Sequence, residues 1–152
     1  MSTDQKTLAF IGLGVMGYPM AGHLAKSGYE IKVFNRTASV AQKWIDEFGP
    51  SSNCSMHESP KLAAQEADVV LMCVGNDDDV RSVVYGDMGV LGGMEGGAIL
   101  VDHTTASQQL ALELAGQCAA KENGFLDAPV SGGQAGAESG ALTVMVGGAQ
   151  EH

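Results

Sequence analysis

Residues 10–17, FIGLGVMG, decide the fold. Gly12, Gly14 and Gly17 stand in the order G-x-G-x-x-G, at the end of an apolar run (KTLAFIG) and the start of a helical pattern (GVMGYPMAGHLAKSG). Alone, such a string is weak. Its meaning comes from the strand before it and the helix after it. Gly12 permits a tight turn, Gly14 lets a pyrophosphate approach the backbone, and Gly17 lets helix and strand pack closely. The helix N-terminus then offers free amides to phosphates. Gly12, Leu13, Gly14, Val15, Met16 and Gly17 are therefore read as a dinucleotide-binding turn, whose helix should carry Met16, Met20 and Leu24 on one face.

Outward from this turn, strand-like runs alternate with helical ones. YEIKVFN reads as a second strand. TASVAQKWIDEFGP follows as a helix with Thr37 as N-cap and Gly49-Pro50 as a stop. A weakly marked strand lies around 52–55, and Ser59-Pro60 opens a short helix to Ala67. DVVLMCV is almost continuously apolar, as a strand covered on both faces should be. NDDDVRSVVYG is a helix whose aspartates suit its N-terminus, and AILVD is a strand. SQQLALELAGQCAAKENG is a helix with Leu110, Leu114 and Cys118 in register and Gly124 at its end. FLDAPV and LTVMVGG are further strands, separated by a glycine-rich loop. This alternation predicts one α/β domain over residues 1–152, a Rossmann-type doubly wound, mostly parallel sheet with helices on both faces.

Composition narrows the function. The net charge is −10, from 8 Lys and Arg against 18 Asp and Glu, which disfavours nucleic acid and anionic membrane as partners. No apolar run approaches the roughly 18 residues that cross a bilayer, and MSTDQKTLAFIG does not resemble a signal peptide, so the expected location is cytoplasmic. Cys54, Cys73 and Cys118 are spaced as packing residues, without a disulfide or zinc pattern. His23, His57, His103 and His152 do not cluster, and no metal site is expected.

Cofactor choice turns on the end of the second strand, where an acidic residue about 20 positions after the glycines would hold the ribose hydroxyls of NAD. This chain has Asn35-Arg36-Thr37 there. No carboxylate repels a 2′-phosphate, Arg36 can pair with one, and Asn35 and Thr37 can add neutral polar contacts. NADP is therefore expected over NAD, with NAD still usable. Two further loops should follow parallel strands at their carboxyl ends. Val74-Gly75-Asn76 can meet the cofactor ribose, and Thr105 in Asp102-His103-Thr104-Thr105 can reach toward the nicotinamide.

Taken together, FIGLGVMGYPMAGHL, SPKLAAQEADVV, DHTT, DAPVSGGQAGA and GALTVMVGG resemble the β-hydroxyacid dehydrogenase family across nearly all of residues 6–148. That family includes 3-hydroxyisobutyrate dehydrogenase, glyoxylate/succinic semialdehyde reductase and, more distantly, 6-phosphogluconate dehydrogenase. DAPVSGG looks closer to the branch acting on non-phosphorylated substrates. The resemblance implies hydride transfer between a nicotinamide cofactor and a small hydroxy acid or semialdehyde acid, with Ser131, Gly132 and Gly133 holding the substrate carboxylate. Small residues and bent-loop amides suit an anion, while Asp127 and Pro129 shape the loop. A homo-oligomeric whole protein is also implied. The other class, a non-catalytic NADP-binding sensor or interaction module, would be favoured by a broken fingerprint or a missing substrate loop; here both are intact.

The family's catalytic lysine and its partner asparagine lie on a helix that opens a second, all-helical domain, beyond the position of His152. No lysine of this chain stands in that context, and no catalytic residue is assigned. Loss of a general acid costs about 10²–10⁴-fold in rate. These 152 residues should therefore bind NADP(H) weakly to moderately and turn over little or nothing, and robust turnover by the purified chain would contradict this.

Overall fold

The computed structural model describes residues 5–152. Its main sheet has seven strands: β1 (Thr7–Ile11), β2 (Glu30–Phe34), β3 (Cys54–Met56), β4 (Val69–Met72), β5 (Ile99–Asp102), β6 (Gly124–Asp127) and β9 (Gly147–Gly148). They lie in the order β3-β2-β1-β4-β5-β6-β9, parallel except for β9, which runs antiparallel to β6. Two short strands, β7 (Val130–Ser131) and β8 (Thr143–Val144), pair separately. The helices are α1 (Gly17–Lys26), α2 (Ala38–Phe48), α3 (Pro60–Ala64), α4 (Asp77–Val84), α5 (Val90–Gly93), α6 (Gln108–Ala120) and α7 (Gly133–Ser139).

Strand periodicity builds two cores, one on each face. Along β1, Leu8 and Phe10 join Ile31, Val33, Trp44 and Phe48 on the side of α1 and α2. Ala9 and Ile11 join Val70, Met72, Leu100, Leu110 and Leu114 on the other side, with α3, α4, α5 and α6. Successive side chains of a strand point to opposite faces, so the apolar run at β4 buries Val70 and Met72 one way while Val69 and Leu71 pack the other. The doubly wound sheet predicted from the alternation is the one observed. None of the helices among the described residues is long and apolar enough to cross a membrane.

Local details differ from the sequence reading. Met16 caps α1 from outside, and the helix buries Gly17, Ala21, Gly22 and Ala25 instead of a methionine–leucine face; Met20 and Leu24 pack at its flanks. Close approach selects the small residues: a Cβ on Gly22 would stand 2.7 Å from Cε1 of the Phe48 ring. Thr37 occupies the N-cap of α2, but its hydroxyl makes no capping bond. Gly49-Pro50 does not stop the chain turning; a 3-10 turn runs on over Gly49–Ser51, which proline tolerates near a helix start.

The helix opened by Ser59 does receive its cap, Leu62 N–H donating to Ser59 Oγ at 3.1 Å. It ends at Ala64 instead of Ala67, because Glu66 adopts a left-handed φ of 63° and redirects the backbone into β4. Gly124 does not terminate α6 but begins β6, the left-handed turn after the helix being made by Glu122 at φ 60°. The glycine-rich stretch after residue 131 is not a loop: it forms α7, tied to α1 by His23 Nε2–H donating to Ala137 O at 2.8 Å. The three cysteines are free.

Overpacking costs of order 1–3 kcal/mol, whereas alanine exceeds glycine in an open helical position by about 0.5–1 kcal/mol. Gly22→Ala should therefore destabilise the domain, its new methyl forced into the Phe48 ring. Gly116→Ala in α6, which meets no heavy atom within 4 Å, should stabilise it. Urea unfolding midpoints for the two variants check both signs.

Candidate functional site

The strand order reverses direction at β1, with β2 and β3 to one side and β4, β5 and β6 to the other. Open α/β sheets hold ligands outside the carboxyl ends of strands at such a switch point. A cleft of about 350 Å³ lies there. Its floor and walls come from Ile11, Gly12 and Gly14 through Gly17 after β1, from Phe34 through Thr37 after β2, from Cys73 through Gly75 after β4, and from Asp79, Ser82 and Val83 on α4.

The three glycines do different work. Gly12 has φ 97°, and its N–H donates to Phe34 O at 2.9 Å. A Cβ there would run into the Cys73 carbonyl and stand 2.9 Å from Val74 Cγ1. A Cβ on Gly17 would run into the Gly12 carbonyl and approach Phe10 Cε1 to 3.1 Å. Both positions are thus glycine because protein backbone occupies the space. Gly14 is otherwise: a Cβ there meets nothing within 4 Å. Among the described residues nothing demands glycine at position 14, whereas a pyrophosphate pressed against the backbone would. The turn therefore fits a dinucleotide.

Of the residues read from the sequence, Gly12, Gly14, Val15, Met16, Gly17, Asn35, Arg36, Thr37, Val74 and Gly75 line this one cleft. Leu13 does not. It is 2% exposed in the core, and its amide, instead of facing a phosphate, donates to Asn35 Oδ1 at 2.9 Å. Asn35 is a brace as well as a wall, because its Nδ2–H also donates to Thr37 O at 3.1 Å. Asn76 caps α4 by accepting from Asp79 N–H at 2.9 Å and stands outside the cleft lining. Thr105 is exposed and likewise outside the lining. Its neighbour Thr104 is the buried one, its hydroxyl oxygen accepting from Val74 N–H at 3.0 Å.

Ser131, Gly132 and Gly133 lie apart from the cleft lining, where the chain passes from β7 into α7. Gly132 (φ 134°) and Gly133 (φ 62°) make that bend, which L side chains rarely adopt. Arg36 is exposed at the cleft and makes no ion pair or hydrogen bond with any of the described residues. The α4 wall went unread in the sequence, though a signal existed. Asp79, Ser82 and Val83 follow the i, i+3, i+4 spacing of one helix face, while Val80 and Val84 face the core. A Cβ on Gly75 would meet only the Asp79 carboxylate, the end of a side chain that can turn aside.

At the end of β5, opposite Met72 of β4, Asp102 is 2% exposed. Burial pushes its carboxyl up to about 6, against the amide and hydroxyl of Thr104, which bond it and pull it down. Burial and the nearby Asp102 push the Cys73 thiol up to about 11, so the cleft presents a neutral thiol there.

A glycine-turned bend at the switch point of a parallel sheet, with a basic side chain at the second strand's end, defines a dinucleotide-binding domain. The chain belongs to the family of the NAD binding domain of 6-phosphogluconate dehydrogenase, whose model matches residues 7–152. It is 57% identical over 145 residues to an uncharacterized oxidoreductase of Shewanella frigidimarina, covering 95% of this chain and 48% of that protein. It is 44% identical over 142 residues to the Arabidopsis thaliana protein named "Probable 3-hydroxyisobutyrate dehydrogenase-like 1, mitochondrial", covering 93% of this chain and 41% of that one. Among solved structures, Mycobacterium tuberculosis 3-hydroxyisobutyrate dehydrogenase with L-serine superposes with a TM-score of 0.86 at 31% identity. That match covers 97% of this chain and 48% of the solved one. The chain spans about half the length of the relatives it matches.

Because the folded pKa of Asp102 exceeds the unfolded value, the native state holds more protons between about pH 4 and 6, and stability falls as pH rises through that window. The fall should amount to about 3 kcal/mol at most. Asp102→Asn removes this contribution, so its stability relative to the parent should grow from pH 4 to pH 6.5 in urea unfolding.

Proposed function

We propose that this chain is the cofactor-binding half of an NADP-linked oxidoreductase that acts on a small hydroxy acid or semialdehyde acid. The observation that carries the cofactor choice is Arg36: a cation without a partner among the described residues, just past β2, lining the cleft. A guanidinium offers paired donors to a phosphate, and Asn35, its side chain already committed to Leu13 and Thr37, holds the segment around it in place. When bound, NADP(H) supplies the hydride donor or acceptor. The chain's part is to seat it: Gly14 leaves room for the diphosphate, and Val74 and Gly75 form the facing wall.

Support for the substrate class comes from the similarity to 3-hydroxyisobutyrate dehydrogenases and from the chemistry of residues 131–133. Ser131 supplies a hydroxyl donor, and the bend at Gly132-Gly133 beside it, with its backbone amides, has the chemistry that suits a carboxylate. A semialdehyde or glyoxylate reductase suits the NADP preference better than an NAD-linked catabolic dehydrogenase.

A charge-assisted hydrogen bond contributes about 1.5–3 kcal/mol, or roughly 10- to 150-fold in affinity. Arg36→Ala should weaken NADPH binding by that order while changing NADH affinity less than about threefold, in fluorescence titrations of both. Equal losses would remove the NADP assignment. Gly14→Ala should weaken both cofactors with no loss of thermal stability, since its methyl meets no protein atom.

A further inference from the structure

Asp102, His103 and Thr104 are buried at 2%, 7% and 2% exposure although each carries a polar side chain. Burying such groups is costly unless their hydrogen bonds are made. Their position shows what those bonds hold. The β4–β5 ladder ends at Met72 opposite Asp102, and the β5–β6 ladder ends at Asp102 opposite Asp127. Beyond those pairs the three chains leave the sheet, and the tripeptide takes over.

On the β4 side, His103 N–H donates to Met72 O at 2.8 Å, and Thr104 Oγ1 accepts from Val74 N–H at 3.0 Å. Asp102 Oδ1 accepts from Thr104 N–H at 2.9 Å, which ties the tripeptide to itself. On the β6 side, Ala128 N–H donates to Asp102 O at 2.8 Å. His103 Nδ1 lies 2.7 Å from Ala128 O. A carbonyl only accepts, so Nδ1 bears the hydrogen. Both backbone groups of Ala128 are held, three residues before Ser131.

We infer that Thr104 and His103 are positioning residues with separate tasks: Thr104 fixes the cofactor wall at Val74–Gly75, and His103 fixes the segment from Ala128 to Ser131 on the substrate side. This rests on the proposed reading of cleft and loop, and it adds a division of labour within one buried tripeptide. Thr104→Val keeps the shape but removes the acceptor for Val74; His103→Leu removes the donor to Ala128. Apolar packing could fill both spaces, but it could not aim either exit.

In the complete protein, Thr104→Val should weaken NADPH binding at least tenfold and leave amide hydrogen exchange at residues 128–133 unchanged. His103→Leu should speed exchange at 128–133 at least tenfold and change the NADPH dissociation constant less than threefold. Thr104→Ser and His103→Asn, which keep the hydroxyl and an N–H donor, should each restore its own readout. Should Thr104→Val not fold, Thr104→Ala carries the same test. Equal movement of both readouts in both variants, or no rescue, would overturn the division of labour. A parent that binds neither NADPH nor NADH would overturn the cofactor reading instead; exchange at residues 74–76 in Thr104→Val would then still decide whether Thr104 holds that wall.

Discussion

The structure depends on backbone packed directly against backbone where β1 turns into α1. The carbonyl of Gly12 fills the place of a Cβ on Gly17, and the carbonyl of Cys73 fills the place of one on Gly12. The end of β1, the start of α1 and, from some sixty residues further along, the end of β4 thus meet backbone to backbone. The approach draws the start of α1 against the ends of β1 and β4 and leaves the cleft beside the bend. A methyl at either glycine would have to push apart main chain that the parallel ladders of β1 hold on both sides. The glycines of the fingerprint are therefore fold determinants first, and Gly14 alone is left for the ligand.

That distinction explains why the fold was so legible in the sequence. Apolar alternation and two backbone-imposed glycines are local patterns with one dominant structural solution, so the mostly parallel sheet and its helical layers followed from them. The site was legible only in outline. Sequence position could show that Asn35 ends β2, but not that its amide faces inward to Leu13 and Thr37. Thr104 and Thr105 are the same residue type one step apart. Which of them turns into the protein is set by how β5 exits between its neighbours, a tertiary fact. The α7 segment failed for another reason: its glycines suggest a loop by propensity, and contacts to α1 outweigh that weak preference.

Electrostatics reconcile an acidic protein with an anionic ligand. A net charge of −10 sets a repulsive background, yet exposed charges more than about 10 Å apart are largely screened at moderate salt. What a phosphate meets is local: backbone amides at the start of α1, and the Arg36 guanidinium without a competing carboxylate within ion-pair distance among the described residues. The one carboxylate among the residues lining the cleft, Asp79, stands against Gly75 on the opposite wall. Underneath, the thiol of Cys73 is kept protonated by burial and by Asp102. Charge of the attractive sign is therefore placed at the rim, and the floor stays close to neutral.

The buried tripeptide after β5 shows why such a site needs polar groups in its foundation. Parallel ladders hold strands in register, but their bonds end where the chains leave the sheet, which is where ligands bind. Loops released there would wander by more than the roughly 0.5 Å that an organised site tolerates. The hydrogen bond that Thr104 accepts and the one that His103 donates extend the ladder by one directional step on each flank of β5. Isosteric apolar residues would bury as well and give up that direction. Burial pushes the Asp102 carboxyl up to about 6, a cost the interior carries where that carboxyl accepts from the Thr104 amide. A domain selected for stability alone would have no reason to keep it, and its place between the cleft wall at Val74–Gly75 and the segment that begins at Ala128 supplies one.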